Sequence, residues 1–240
     1  MSVQFALLAT GGVCILSLAF SDWWKHRDAD SLLLALWVLG TFAFATLLNW
    51  TVNGRSLLPL IPATGILLAR RVDPMRAFSD RALAARVGLP LALAGIVSLW
   101  VTAGDAKLAG SARRAAEYMR AESGVKAADL TFQGHWGFQY YMQSFGFRPT
   151  DFNAIMVSNN AVMVIPGNNT NTQDIPPNYV ASKKTVAFDA NAGVSTMSGA
   201  MGAGFYSDVW GPLPFAFGSV PEERYAIVQL GLAADQTQHP

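Results

Sequence analysis

Three places in this chain carry residue types that could do chemistry. The first is Asn53-Gly54-Arg55-Ser56-Leu57-Leu58-Pro59-Leu60-Ile61-Pro62, where one cation stands between two apolar runs. A guanidinium in that setting is either a snorkelling anchor or a ligand for an anionic headgroup. Pro59 and Pro62 sit in the first turns of the helix that follows, where a proline frees backbone carbonyls and kinks the axis. The second place is His135, directly after Gly134 at the start of an expected helix. Its imidazole could serve as an acid or base, or it could cap or pack the helix. The third is Asp208, between Tyr206 and Trp210. A carboxylate flanked by aromatic rings could hold a sugar; a solvated loop carboxylate is the plainer reading.

Several chemistries find no motif. The histidines, His26, His135 and His239, are too scattered for a zinc site, and the single cysteine, Cys14, allows no intrachain disulfide. No Gly-rich phosphate loop, Cys-x-x-Cys pair or nucleophile elbow is present. The expectation is therefore no cofactor and no metal. A net charge of +1 without a basic and aromatic patch gives no reason to expect nucleic acid as a partner.

The elements that must position these residues begin with composition. Of the 240 residues 52% are hydrophobic and 14% charged, against about a quarter charged in ordinary soluble domains. The charge deficit falls almost wholly before Gly104, which predicts membrane helices over residues 1–104 and a separate domain over 105–240. Val3 to Phe20 is a charge-free run close to the ~20 residues a bilayer span needs. It lacks the basic start and small-residue cleavage site of a signal peptide, and its Trp23-Trp24 pair suits the headgroup zone. Ser31 to Val52 is a second span. Ser56 to Ala69, bounded by Arg55 and Arg70, reaches only about 21 Å as a helix, short of the ~30 Å hydrocarbon core. It is either a short span with snorkelling ends or a re-entrant loop. Val87 to Ala103 is the last.

The loop from Arg70 to Arg86 carries five arginines and the loop at Asn53 only Arg55. The positive-inside rule then makes the arginine-rich loop cytoplasmic. Alternation favours four spans, with the N-terminus and the C-terminal domain outside. The lipid bilayer is the first partner, and a bacterial inner membrane with an extracytoplasmic domain is the expected location.

The remainder reads as one small α/β domain. Leu108, Ala112, Ala115 and Met119 recur at helical spacing, Leu130 and Phe132 mark a strand, and His135 to Phe145 is a second helix. Ala161 to Ile165, Thr185 to Phe188 and Tyr225 to Leu230 are further strands. The stretch from Gly199 to Gly218 is too rich in glycine and proline for a regular element. Its Phe205, Trp210, Leu213, Phe215 and Phe217 must still leave water. They can pack on the domain, on the spans or in the headgroup layer.

Arg55-Ser56-Leu57-Leu58-Pro59 with Pro62 resembles the Arg-Tyr-Leu-Leu-Pro-x-x-Pro stretch of bacterial family-39 membrane glycosyltransferases of the GT-C type, relatives of protein mannosyltransferases and aminoarabinose transferases. Gln133 to Tyr141 and Gly202 to Phe217 are similar to the extracytoplasmic tail of some of these proteins. Ser56 replaces the family's usual tyrosine. The resemblance implies a polyprenyl-phosphate-linked sugar as donor, with Arg55 at the depth of its phosphate. It makes Asn53, Arg55, His135, Tyr206, Asp208 and Trp210 candidate substrate-binding residues. The family's acidic catalytic residue lies in an early extracytoplasmic loop that has no counterpart here, so no catalytic residue is assigned. The resemblance thus implies the C-terminal portion of such an enzyme, inactive alone and partnered by an upstream membrane half. The competing reading is a non-catalytic membrane-anchored protein whose outer domain binds a glycan or a partner.

Overall fold

The computed structural model describes residues 2–72, 84–122, 124, 129–151 and 161–231. The chain divides into two compact units, Met1–Ala103 with Gly193–Ser219, and Gly104–Ala192 with Val220–Pro240. The middle of the arginine-rich loop, Arg76 and Arg81 included, lies outside the described residues.

The first unit is built on helices. α1 (Ser2–His26) and α2 (Ala29–Ala43) form an antiparallel hairpin. Arg27, in the left-handed region at φ 55, reverses the chain. Asp28 then caps α2, its carboxylate accepting from Ser31 N–H at 2.7 Å while Asp28 N–H donates to Ser31 Oγ at 3.2 Å. α2 does not stop at Ala43 but loosens into a π-helical turn, Phe44–Leu48, closed by Asn49 N–H donating to Phe44 O at 2.9 Å. Gly54–Leu60 is a 3-10 helix that runs directly into α3 (Ile61–Val72). Pro62 has no N–H to offer the Pro59 carbonyl three residues back, and Trp37 Nε1–H donates to it instead at 2.9 Å. Ala19, Leu34, Val38, Ala63 and Leu67 form the small core between these helices.

Among the described residues, three helical stretches are long and apolar enough to cross a membrane: Ser2–His26, Ala29–Leu48 and Ala85–Ala121. The last contains α4 (Leu89–Glu122), one continuous helix. The span ending near Ala103 and the helix through Leu108 and Met119, read from the sequence as separate elements, are this single element. No proline or glycine pair interrupts it, so the shift from apolar to amphipathic composition leaves the backbone unbroken. α4 contributes to both units, its residues dividing between Ala103 and Gly104.

The second unit holds a five-stranded mixed sheet of order β2-β1-β3-β9-β4. β1 (Leu130–Phe132) runs parallel to β2 (Arg148–Pro149) and β3 (Val162–Pro166). A crossover through α5 (Trp136–Ser144) joins β1 to β2, as a parallel pair requires. β9 (Glu223–Leu230) pairs antiparallel with β3 and with the edge strand β4 (Val180–Phe188). Both faces of β3 are covered. Val162 and Val164 join Ala115, Met119, Phe132, Phe138, Met142 and Tyr225 on one side. Met163 joins Val228 and Leu230 on the other. That double burial is why β3 reads as an unbroken apolar run.

The glycine-rich stretch is more regular than its composition suggests. It pairs β5 (Val194–Ser195) with β8 (Ala216–Phe217), and β6 (Met197–Ser198) with β7 (Ala203–Gly204). It belongs to the first unit and forms a strap across helix ends. Gln4 Nε2 in α1 donates to Phe215 O at 2.6 Å, and Gln4 Oε1 accepts from Phe217 N–H at 3.4 Å. The Phe217 ring lies 4.9 Å from that of Trp100 in α4. Phe217 thus packs against one of the spans, while Trp210 is buried.

Candidate functional site

The stretch joining α2 to the 3-10 helix is unusually polar for a position between apolar helices. Asn49 Nδ2 donates to Thr51 O at 2.8 Å and to Ser56 Oγ at 3.0 Å. Asn53 caps the 3-10 helix, its Oδ1 accepting from Ser56 N–H at 3.0 Å and from Ser56 Oγ at 2.9 Å. A backbone N–H can only donate, so this pairing fixes which end of the amide is oxygen. Asn53 is 5% exposed. Its Nδ2 is buried with no hydrogen-bond partner among the described residues. A buried donor left unpaired costs roughly 1–3 kcal/mol, so it calls for an explanation.

Arg55 follows two residues later. Its backbone N–H donates to Phe205 O of the strap at 3.2 Å, while its side chain is exposed. Among the described residues that side chain makes no ion pair or hydrogen bond. Gly54 is in close contact with the strap: a Cβ there would come within 2.8 Å of Phe205 and 3.3 Å of Pro214. Beside this stretch lies an open groove of about 570 Å³, lined by Gly40, Thr41, Phe44, Asn49, Ser56 and Pro59.

The strap brings Asp208 to the same place. Thr51 Oγ1 donates to Asp208 Oδ1 at 2.8 Å. The Thr51 hydroxyl, helped by Ser207 and by the Val52 backbone N–H, holds this carboxyl below its ordinary 3.8, against a smaller opposing effect of burial. Tyr206 meets Phe205 edge to face at 5.1 Å. Trp210 is 7% exposed, its ring buried within the strap rather than open as a stacking face.

Five of the six candidate residues, Asn53, Arg55, Tyr206, Asp208 and Trp210, thus belong to one unit, where Thr51–Asp208 and Arg55–Phe205 join their two stretches. His135 belongs to the other unit. There it occupies the N-cap position of α5 without a side-chain capping bond. Its ring nitrogen Nδ1 lies 3.2 Å from Gln139 Oε1, and Asn169 Oδ1 accepts its backbone N–H at 2.8 Å.

Two residues that matter escape a reading of the sequence. Thr51 is one polar residue among several after the second apolar run, and nothing local marks it. Gln4 carried a signal, being the only amide in the otherwise apolar stretch from Val3 to Phe20. Among the described residues no three His, Cys, Asp or Glu side chains come together in a way that could hold a metal ion.

No protein-family model matches the chain, and neither a curated protein nor a solved structure matches it. Its elements make it a multi-pass membrane protein with a folded mixed α/β domain.

Proposed function

We propose that this chain is the C-terminal portion of a membrane glycosyltransferase that draws on a polyprenyl-phosphate-linked sugar, with the Thr51 to Ser56 stretch gripping the donor phosphate. The observation that carries the reading is the junction just described. The two stretches around Arg55 and Asp208, about 150 residues apart, each resemble such enzymes, and they meet through two hydrogen bonds. The donors available at that junction suit a phosphate. A guanidinium offers bidentate, charge-assisted bonds, and Asn53 adds a buried N–H still without an acceptor.

A fourth crossing supports the same reading by setting this site at the outer headgroup level. Gln4 near the start of α1, Thr51 after α2 and Trp100 within α4 all touch the strap, which supports grouping these three positions at one membrane surface. At the other surface Arg70, at the end of α3, bonds Asp22 of α1. On this reading the chain between Asn53 and Val72 crosses as well. Its seven-residue 3-10 helix at about 2.0 Å per residue and twelve-residue α3 at about 1.5 Å together reach about 32 Å, close to the ~30 Å core. Arg70, Arg71 and Arg86 mark the cytoplasmic side, which leaves Arg55 outside.

Transfer also needs a carboxylate to deprotonate the acceptor. Within this unit, among the described residues, Asp208 is already bonded to Thr51, and Asp22, Asp28 and Asp30 lie at the other helix ends. On this reading no residue of the chain is assigned as that base, which the resemblance puts in an upstream membrane half. A second reading, a glycan-binding outer domain, is favoured by Trp136 and Tyr140. They lie one turn apart on α5, 49% and 68% exposed, and Trp136 is held at φ 58.

Titrating the purified chain with a short-chain polyprenyl phosphate tests the first reading. Arg55→Ala should weaken binding about tenfold, the scale of one lost charge-assisted bond. Binding unaffected by Arg55→Ala, or retained only in Trp136→Ala-sensitive form, would overturn it.

A further inference from the structure

The five residues from Thr51 to Arg55 present four side-chain or backbone donors that suit an anion: the Thr51 hydroxyl, the Val52 N–H, the Asn53 amide and the Arg55 guanidinium. A single carboxylate, arriving from 157 residues further along the chain, accepts from the Thr51 hydroxyl at 2.8 Å and lies beside the Val52 N–H. The other two are unmet. Asn53 Nδ2 is buried without a partner, and among the described residues Arg55 has no ion pair. Asp208 is itself exposed, so burial does not drive its carboxylate into this contact. The donors hold it there. Residues on both sides of Asn53 touch the strap: Thr51 through Asp208, Gly54 through Phe205 and Pro214, and Arg55 through Phe205 O. While the strap is down, Asn53 is shut in.

We propose that Asp208 is an internal stand-in for a phosphate, holding the strap over the Thr51 to Arg55 loop until a phosphate group displaces it. A phosphate has more oxygens and more charge than a carboxylate and can serve all four donors, where Asp208 accepts a direct bond from Thr51 alone. The exchange is non-covalent: the Thr51 and Val52 donors pass from carboxylate to phosphate, Asn53 and Arg55 gain their acceptor, and the strap lifts. The apparent affinity for phosphate is then lowered by the fraction of molecules with the strap down. This inference rests on reading the loop as a phosphate site and adds its regulation.

The test uses the full 240-residue chain in neutral detergent. Inorganic phosphate and dodecyl phosphate are titrated separately into wild type, Asp208→Asn and Asp208→Glu, following tryptophan fluorescence. Asp208→Asn, which keeps the shape and removes the charge, should bind about tenfold more tightly. Asp208→Glu should remain near wild type, and Arg55→Ala added to Asp208→Asn should erase the gain. A gain with both probes identifies the phosphate group itself as sufficient, and a gain with dodecyl phosphate alone identifies a lipid phosphate. Equal affinity of wild type and Asp208→Asn would overturn the stand-in role and leave the phosphate site standing. No binding by any variant would overturn both. A second measurement does not depend on changing Asp208. In a Cys14→Ser background, Ser207→Cys should become more reactive to a thiol reagent as phosphate is added. Unchanged reactivity at saturation would also overturn the role.

Discussion

The two ends of the helical unit are finished in opposite ways. At one end, Asp22 is 9% exposed and fully served: Arg70 Nη1 bonds it at 2.9 Å and His26 Nδ1 lies at 3.3 Å. Asp30 adds a looser contact to Arg70 at 4.0 Å. At the other end, a buried amide nitrogen and an exposed guanidinium have no partners among the described residues, and the one carboxylate present comes from a distant strap. A charge taken out of water is tolerated when paired. The first end therefore behaves as a clamp between α1 and α3, complete in itself. The second leaves bonding capacity unused among the described residues, and it is this end that the proposed function employs.

Breaking the complete end should have the largest effect. Arg70→Ala leaves the shielded Asp22 without its guanidinium and with only His26 beside it, which costs about 3 kcal/mol, read as a lowered midpoint of unfolding in mixed detergent. The pair Asp22→Asn with Arg70→Gln removes both charges and should recover most of that loss. A double variant as unstable as Arg70→Ala would show that the clamp depends on charge itself.

Loosening the incomplete end should cost less. Gly54→Val drives methyl groups into Phe205 and Pro214, an overpacking worth about 1–3 kcal/mol. Its signature is local. Cleavage within residues 193–219 by a protease should accelerate while the helix content holds. Global unfolding at the same dose would mean that the strap is part of the clamp.

The smallest effect sharpens the contrast from the second unit, where Glu223 stands between the two extremes. It is 8% exposed and served by one donor, Asn168 Nδ2 at 2.9 Å. Burial raises its pKa above the ordinary 4.5, partly offset by that bond. In the window above 4.5 the unfolded chain has already released this proton and the folded one retains it. Stability attributable to Glu223 therefore falls as pH rises through that window. Glu223→Gln should flatten the pH dependence of the unfolding midpoint there, and an unchanged slope would remove Glu223 as its source.

Much of the fold was legible because its signals are local. The apolar runs of α1 and α2 show their length in the sequence, and Val162 to Ile165, closed by Pro166-Gly167, shows a strand buried on both faces. α4 reads as two elements in the sequence because its composition changes midway while its backbone does not. The 3-10 helix was invisible: a rise of about 2.0 Å instead of 1.5 Å per residue leaves no trace in residue types, yet it decides whether Gly54 to Val72 can reach across. The candidate site was half legible. Asn53, Arg55 and Asp208 stood out by type, but no spacing encodes a bond between Thr51 and Asp208. Nor does any residue type announce that an amide will be left without an acceptor.

The π-helical turn at Phe44–Leu48 has a consequence for the chain's history. Such a turn closes one residue later than an α-helical turn, so it is what an α-helix becomes when a single residue is added. Removing one residue there would restore a regular helix, rotate everything after it by about 100° and draw it back by about 1.5 Å. Asn49, Thr51 and Asn53 would then face elsewhere, and an ordinary span would remain with no polar loop beside the strap. The polar loop that the proposed site uses thus hangs on the register of one π-helical turn, which a three-base deletion would undo.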